Sequence, residues 1–151
     1  MNFHHFYSAT AKATDSGSVN IDIEGLDSME SNAPKEFGGP GDKWSPEDLV
    51  VAAVADCFVL SFRAVAGMSK FSWNDLSCEV TGELDKADTG VQFVGFKVKA
   101  RLVVDGDADV ARAESLLKKA KSACFITNSL KAPAELELEV CLLYTSPSPR
   151  D

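Results

Sequence analysis

The hydrophobic and polar positions along this chain follow two different periods, which predicts both strands and helices. In residues 3–13 and 18–24, apolar residues either alternate with polar ones or follow one another, and turn-forming residues at 14–17 separate the two segments. This arrangement is typical of a β-hairpin. Residues 31–46 are rich in proline and glycine, so we expect a structured loop there.

The longest apolar stretch predicts a helix that begins at Ser45-Pro46-Glu47-Asp48. Serine is a good N-cap, proline suits the first helical position, and acids in the first turn complement the helix dipole. We expect the helix to run to about Met68. Its middle, residues 49–60, is apolar on nearly every face, which predicts burial on all sides, in a core or a dimer interface. We expect it to be too short, and too interrupted by Asp56 and Arg63, to span a membrane.

The second half of the chain returns to strand-like alternation. Residues 76–86 and 91–104 predict two strands joined at Thr89-Gly90, and residues 107–123 predict a second amphipathic helix. Residues 134–140 alternate leucine or valine with glutamate, as in a half-exposed strand. The order strands, helix, strands, helix, strand predicts an α+β fold rather than a doubly wound sheet.

Composition narrows the class of protein. The chain has 151 residues, a formal charge of −8 and 45% hydrophobic residues, which suits a single domain with its own core. The acidic balance disfavours nucleic acid and anionic membranes as partners. Residues 1–5 lack the basic start and apolar run of a secretory signal, so we expect a cytoplasmic protein in a reducing compartment.

The last residues, 141–151, are expected to lie outside the native domain. Cys-Leu-Leu-Tyr-Thr-Ser-Pro-Ser-Pro-Arg-Asp back-translates to a string that resembles an adapter used in DNA library preparation. Such segments are set aside before a fold is inferred. We therefore expect one domain over residues 1–140, with Cys141 outside it and the native sequence after Val140 left open.

Three cysteines remain: Cys57, Cys78 and Cys124. None forms a CxxC pair, so we expect no metal site, and each is either a packed apolar residue or a reactive thiol. Cys57 lies about 16 Å along the first helix, too far for the helix N-terminus to favour its thiolate, so ionisation would need a cation nearby. Cys124 follows the second helix, where a cysteine can be half-exposed. We expect Cys78 in a strand core.

The segments around two of these cysteines are similar to those of a known family. Ser45-Pro46-Glu47-Asp48-Leu49, with the following residues 52–58 around Cys57, resembles the first-cysteine motif of the OsmC and organic hydroperoxide resistance family. Cys124 with Asn128-Ser129-Leu130 resembles the second, and the loop 37–41 matches one branch. The resemblance covers about residues 5–140. It implies antiparallel sheets around a buried central helix in an intertwined homodimer.

The activity that this resemblance implies is a thiol peroxidase without metal or flavin, active on organic hydroperoxides in oxidative-stress defence. Cys57 would attack the peroxide bond and become a sulfenic acid, which Cys124 would resolve to a disulfide. An external dithiol would then reduce that disulfide. Apolar residues near Cys57, such as Phe58, would line the substrate pocket. Glu47 matches the family glutamate that holds a catalytic arginine near the first cysteine.

The sequence departs from the family where that arginine is expected. The turn Thr14-Asp15-Ser16-Gly17-Ser18 has no basic residue, which leaves Lys43 and Arg63 as replacement cations. Glu47 and Cys57 lie about 15 Å apart along a straight helix, so a shared site needs a helix break or two chains. The alternative function is an OsmC-like dimer with weakened catalysis that binds a small ligand or responds to redox state.

Overall fold

The computed structural model describes residues 3–144, and the chain divides into two compact units, Met1–Val50 and Val51–Asp151. The first unit contains three short strands, β1 (Thr10–Lys12), β2 (Val19–Asp22) and β3 (Met29–Ser31), paired antiparallel in that order. The predicted hairpin is therefore confirmed, although its first strand covers only the end of residues 3–13.

The proline- and glycine-rich loop is structured, as predicted. Ser31 bridges Trp44 in a parallel sense, and the Asn32 N–H donates to the Trp44 carbonyl at 2.9 Å. A Cβ at Gly39 would lie 1.6 Å from the Ala33 carbonyl oxygen, so the close passage of the two backbones requires glycine.

The first helix, α1 (Pro46–Met68), begins where the sequence predicts. The Asp48 N–H donates to Ser45 Oγ at 3.0 Å, and the Ser45 N–H donates to Asp48 Oδ2 at 3.1 Å. This reciprocal pair is a capping box with aspartate in the place of glutamate. The helix is unbroken from its first residue to its last, so a break does not bring Glu47 to Cys57.

Burial of α1 is confined to one stripe. The buried positions recur at helical spacing and are Val54, Phe58, Phe62, Val65 and Ala66. Leu60, on another face, is 49% exposed. One chain buries one face of α1, and burial of its other faces in a dimer interface stays a prediction.

The expectation that this apolar stretch is too short for a membrane is wrong by length and composition. α1 has 23 residues and is long and apolar enough to cross a bilayer. Core helices of soluble proteins meet the same criterion. The buried stripe makes α1 part of the core of the second unit.

The second unit is built on a sheet of β4 (Asp75–Ala87), β5 (Gly90–Asp105) and β6 (Ala134–Leu143), with β5 in the centre. The β4–β5 hairpin is antiparallel, whereas β6 pairs parallel to β5. This pairing differs from the implied antiparallel sheets. Two parallel neighbours need a long crossover, which α2 (Val110–Ala123) and α3 (Phe125–Ser129) supply.

Alternation along β5 separates a core face from a charged face. The buried side chains of this strand are Phe96, Val98, Ala100, Leu102 and Val104. The intervening Lys97, Lys99 and Arg101 are exposed. On β4, a Cβ at Gly82 would lie 3.0 Å from Val51 Cγ1, so glycine lets α1 approach the sheet closely.

β6 continues to Leu143, past the predicted end of the native domain at Val140. Cys141 pairs with Val103 on β5, and the Tyr144 ring lies over Gly106, where an added Cβ would come within 2.5 Å of Tyr144 Cδ1. The adapter origin of residues 141–151 stays a prediction, and residues 145–151 lie outside the described part of the chain.

We expect Phe62→Ala to destabilise the fold by about 3–5 kcal/mol, the cost of emptying a large core position. Phe62 is fully buried at 0% exposure, and its ring contacts Trp73 with centroids 5.4 Å apart. Urea unfolding followed by circular dichroism measures the change. Phe3→Ala is the matched control, because Phe3 is 72% exposed. Equal effects of the two substitutions would contradict this packing.

Candidate active site

Cys57 lies at the edge of the buried stripe of α1, three residues after Val54 and directly before Phe58. Its side chain is half-buried, whereas Phe58 is 2% exposed and belongs to the core. Phe58 therefore does not line an open pocket, contrary to expectation. One turn further along α1, the Ser61 hydroxyl lies 3.9 Å from the Cys57 sulfur.

Cys124 lies at the junction of two helices. It is both the C-cap of α2 and the N-cap of α3. Its N–H donates to the Lys121 carbonyl at 3.3 Å, and its carbonyl accepts from the Asn128 N–H at 3.0 Å. The Thr127 hydroxyl donates to the Cys124 sulfur at 3.1 Å. Although a cysteine at a helix end can be half-exposed, the folded junction buries Cys124 completely.

The two sulfurs meet where α1 passes α3. The Cys124 thiol is hydrogen-bonded to the Cys57 sulfur, and the backbone N–H groups of Phe125 and Ile126 donate to the same atom. Four groups, from α1 and from the α2–α3 junction, thus surround the Cys57 sulfur with hydrogen-bond donors. The fold brings together the two cysteines that the sequence predicted as a reactive pair.

These donors lower the pKa of Cys57. Burial is the largest single effect and raises it, but the hydrogen bonds from Ile126, Cys124, Ser61 and Phe125 together outweigh burial. Donors that bond to the charged form favour ionisation. No cation acts on this thiol among the described residues. The donors lower the pKa of Cys57 without a cation among them, and a cation supplied beside this thiol stays a prediction.

The pKa of Cys124 moves in the opposite direction. Burial raises it most, the neighbouring Cys57 raises it further, and the hydrogen bonds from the Thr127 hydroxyl and N–H only partly offset these effects. Cys57 therefore ionises first, and Cys124 remains a neutral thiol that donates to it. Because the pKa values of the two thiols shift in opposite directions, the two cysteines can take different chemical roles.

The remaining cysteines are poor nucleophiles. Burial, with a smaller contribution from Cys124, raises the pKa of Cys78 to about 11. Cys78 lies on β4 as predicted, but it is half-buried rather than in the core. Cys141 lies on β6, where burial and then Glu139 raise its pKa. Thiols react as thiolates, so neither competes with Cys57 near neutral pH.

The other predicted site residues have surroundings of their own. Glu47 lies in the first turn of α1, where its Oε1 atom is buried and has no hydrogen-bond partner among the described residues. Lys43 is engaged by Glu30, with Nζ and Oε1 3.0 Å apart. Arg63 is exposed on α1 and is not among the groups that act on Cys57.

Sequence reasoning missed the polar groups that hold the two sulfurs. Ser61 lies four residues after Cys57, and Thr127 lies three after Cys124, spacings that put each hydroxyl near its cysteine once both segments are helical. The backbone donors of Phe125 and Ile126 leave no signal in the sequence. In the described part of the chain, no cluster of three or more histidine, cysteine or acidic side chains could hold a metal ion.

The family model for OsmC-like proteins matches residues 39–139 of this chain. The chain belongs to the OsmC-like family. The match begins in the first compact unit and continues through the second. Both cysteines of the candidate site and Glu47 fall within it, as the resemblance noted from the sequence implied.

Relatives and solved structures agree with this assignment. The Bacillus subtilis protein YmaD, itself uncharacterized, is 31% identical over 143 residues, which cover 90% of this chain and 93% of YmaD. An organic hydroperoxide resistance protein of Xanthomonas axonopodis is 31% identical, covering 86% of this chain and 89% of its own. An OsmC-like protein of unknown function from Vibrio cholerae has a similar fold, with a TM-score of 0.82 at 18% identity, covering 89% and 99%. The α+β, OsmC-like fold is therefore confirmed.

We expect alkylation to separate the cysteines by rate. Only the thiolate reacts, so Cys57, whose pKa is lowered, should reach half of its maximal rate below the pH of an ordinary thiol. Cys78, with a pKa of about 11, should need strongly alkaline solution. Iodoacetamide labelling across pH, read by peptide mass spectrometry, measures each rate.

Cys57→Ser is the control for this labelling, since it should remove the fast phase alone. Faster labelling of Cys78 than of Cys57 at neutral pH in the folded protein would contradict the site geometry.

Proposed function

We propose that this protein is a thiol peroxidase that reduces organic hydroperoxides in oxidative-stress defence, with Cys57 as the attacking thiol and Cys124 as the resolving thiol. The observation that carries the proposal is the hydrogen-bonded thiol pair with opposite pKa shifts. Membership of a family that includes an organic hydroperoxide resistance protein adds support.

The proposed chemistry has two steps in the protein. The Cys57 thiolate attacks the terminal oxygen of ROOH, the O–O bond breaks, and the alkoxide takes a proton from solvent to leave as the alcohol. Cys57 is now a sulfenic acid. The Cys124 sulfur then attacks the Cys57 sulfur, an S–S bond forms, and the hydroxyl leaves as water. An external dithiol completes the cycle by exchange in the cytoplasm.

Exposed apolar side chains near Cys57 support an organic peroxide as substrate. Phe125 is 70% exposed and Ile126 is 37% exposed, and the backbone N–H groups of both donate to the Cys57 sulfur. Leu60, 49% exposed, lies one turn along α1 from Cys57. An alkyl or aryl group held against these side chains would lose water-exposed apolar area, which favours binding.

We also propose a homodimer in which Glu47 acts at the thiol pair of a second copy. Ten residues of unbroken helix separate Glu47 from Cys57, about 15 Å along the axis. The unpartnered Glu47 Oε1 and the exposed face of α1 around Leu60 suit a contact with another chain. Because Glu30 engages Lys43, Arg63 remains the candidate for the missing family arginine.

Stoichiometric cumene hydroperoxide should convert Cys57 and Cys124 to a disulfide. Mass spectrometry after alkylation detects the crosslinked peptides, because alkylation leaves a disulfide unmodified. Cys57→Ser should abolish the reaction, Cys124→Ser should stop it at the sulfenic acid, and Cys78→Ser should leave it unchanged. Two reduced thiols in the folded, peroxide-treated protein would reject the peroxidase and leave the ligand-binding or redox-responsive dimer.

Glu47→Gln should lower the rate of Cys57 oxidation by about tenfold or more, the scale of a displaced catalytic group. The change keeps the side-chain size but removes the charge that would hold a cation. Stopped-flow mixing with cumene hydroperoxide gives the rate. Glu79→Gln, an exposed glutamate on β4, is the matched control. An unchanged rate in Glu47→Gln would mean that this acid has no part in the reaction.

A further inference from the structure

One contact of the site has no role in the steps above, namely the hydrogen bond from the Thr127 hydroxyl to the Cys124 sulfur at 3.1 Å. The Thr127 N–H donates to the same sulfur. Cys124 is fully buried, so its sulfur depends on protein donors rather than on bulk water. The contact therefore acts on the thiol that must attack second.

The direction of this hydroxyl is not the ordinary one for a helical threonine. Hydroxyl side chains in helices commonly donate to a backbone carbonyl three or four residues earlier. Ser129 in the same short helix does so, with its Oγ 2.7 Å from the Phe125 carbonyl. The Thr127 hydroxyl donates to the Cys124 sulfur instead, so its hydrogen bond acts on the thiol pair and not on the helix backbone.

We propose that Thr127 is a positioning residue for the resolving step, in which its hydroxyl holds the Cys124 sulfur toward Cys57 and stabilises the negative charge that develops there. This inference rests on the proposed peroxidase function. Thr127 touches neither the peroxide nor Cys57 in this scheme, and it acts through Cys124.

The resolving step explains why such a donor matters. Cys124 S–H and the Cys57 sulfenic acid combine to a disulfide and water, with the Cys124 proton leaving on the hydroxyl of the sulfenic acid. Cys124 is oxidised as the Cys57 sulfur is reduced, so the step needs no other reactant. As the S–H bond breaks, charge develops on the buried sulfur, where a fixed donor is worth more than in water.

The surroundings of Cys124 otherwise oppose that charge. The titratable group that acts on it is Cys57 from α1, a thiol rather than a cation, and Cys124 in turn raises the pKa of Cys78 on β4. Burial opposes ionisation more strongly still. The donors that favour the charged form are the hydroxyl and N–H of Thr127.

Single-turnover oxidation of the full chain by cumene hydroperoxide separates the two steps. A sulfenic-acid probe reports the first step, and mass spectrometry of the disulfide reports the second. Thr127→Val keeps the side-chain shape and should slow disulfide formation about three- to tenfold, the worth of one hydrogen bond, while sulfenic acid accumulates. The pH profile of the second step should move upward by up to about one unit. The rate of Cys57 oxidation should stay at the wild-type value.

Two further variants show that the hydroxyl is the cause. Thr127→Ser should restore both the rate and the pH profile, because it returns the donor. Thr81→Val, the same substitution at an exposed threonine on β4, should change nothing. If Thr127→Val does not fold, Thr127→Ala removes the same hydroxyl with less bulk in the junction.

The outcomes distinguish this inference from the proposed function. Normal sulfenic acid formation with wild-type disulfide formation in Thr127→Val would overturn the role of Thr127 and leave the peroxidase intact. Equal slowing in Thr127→Ser and Thr127→Val would also overturn it. A wild-type protein that forms neither sulfenic acid nor disulfide would overturn the peroxidase, and the role of Thr127 with it.

Discussion

The packing of one stripe of α1 is the constraint on which the candidate site depends. Burial of apolar side chains is not directional in itself, but a stripe at helical spacing fixes the rotation of the helix about its axis. With Phe58 and Phe62 buried, Cys57 must lie at the edge of the stripe, half-exposed and against α3. A rotation of the helix would bury the thiol or move it into solvent, away from its donors.

The second constraint is electrostatic, because burial disfavours the Cys57 thiolate and the surrounding groups must offset it. The groups that do so are hydrogen-bond donors that carry no net charge: two backbone N–H groups, a hydroxyl and the second thiol. Such fixed dipoles need no reorganisation when the charge forms. Burial raises the pKa of both thiols, but the donors outweigh it only at Cys57, so the neutral form of Cys124 serves as a donor until it must react.

Much of the fold follows from local pattern. The capping residues Ser45 and Asp48 mark the start of α1, and the alternation of Lys97, Lys99 and Arg101 with apolar neighbours marks the faces of β5. The parallel pairing of β6 could not be predicted from the sequence, since a half-exposed strand shows the same alternation beside a parallel or an antiparallel neighbour. The burial of Cys124 did not follow either, because it results from the turn between two helices.

What the sequence by itself determined is the identity of the chemistry-bearing residues and the elements that carry them. Cys57 on a long apolar helix and Cys124 after a second helix are readable from order and spacing, and so is the family. Only the tertiary structure decided their environment. The contact between the thiols and the donors from Phe125 and Ile126 join segments that are far apart in the chain. The direction of the Thr127 hydroxyl depends on the path of the backbone at the α2–α3 junction. Ionisation responds to such neighbours through space, so no local pattern contains it.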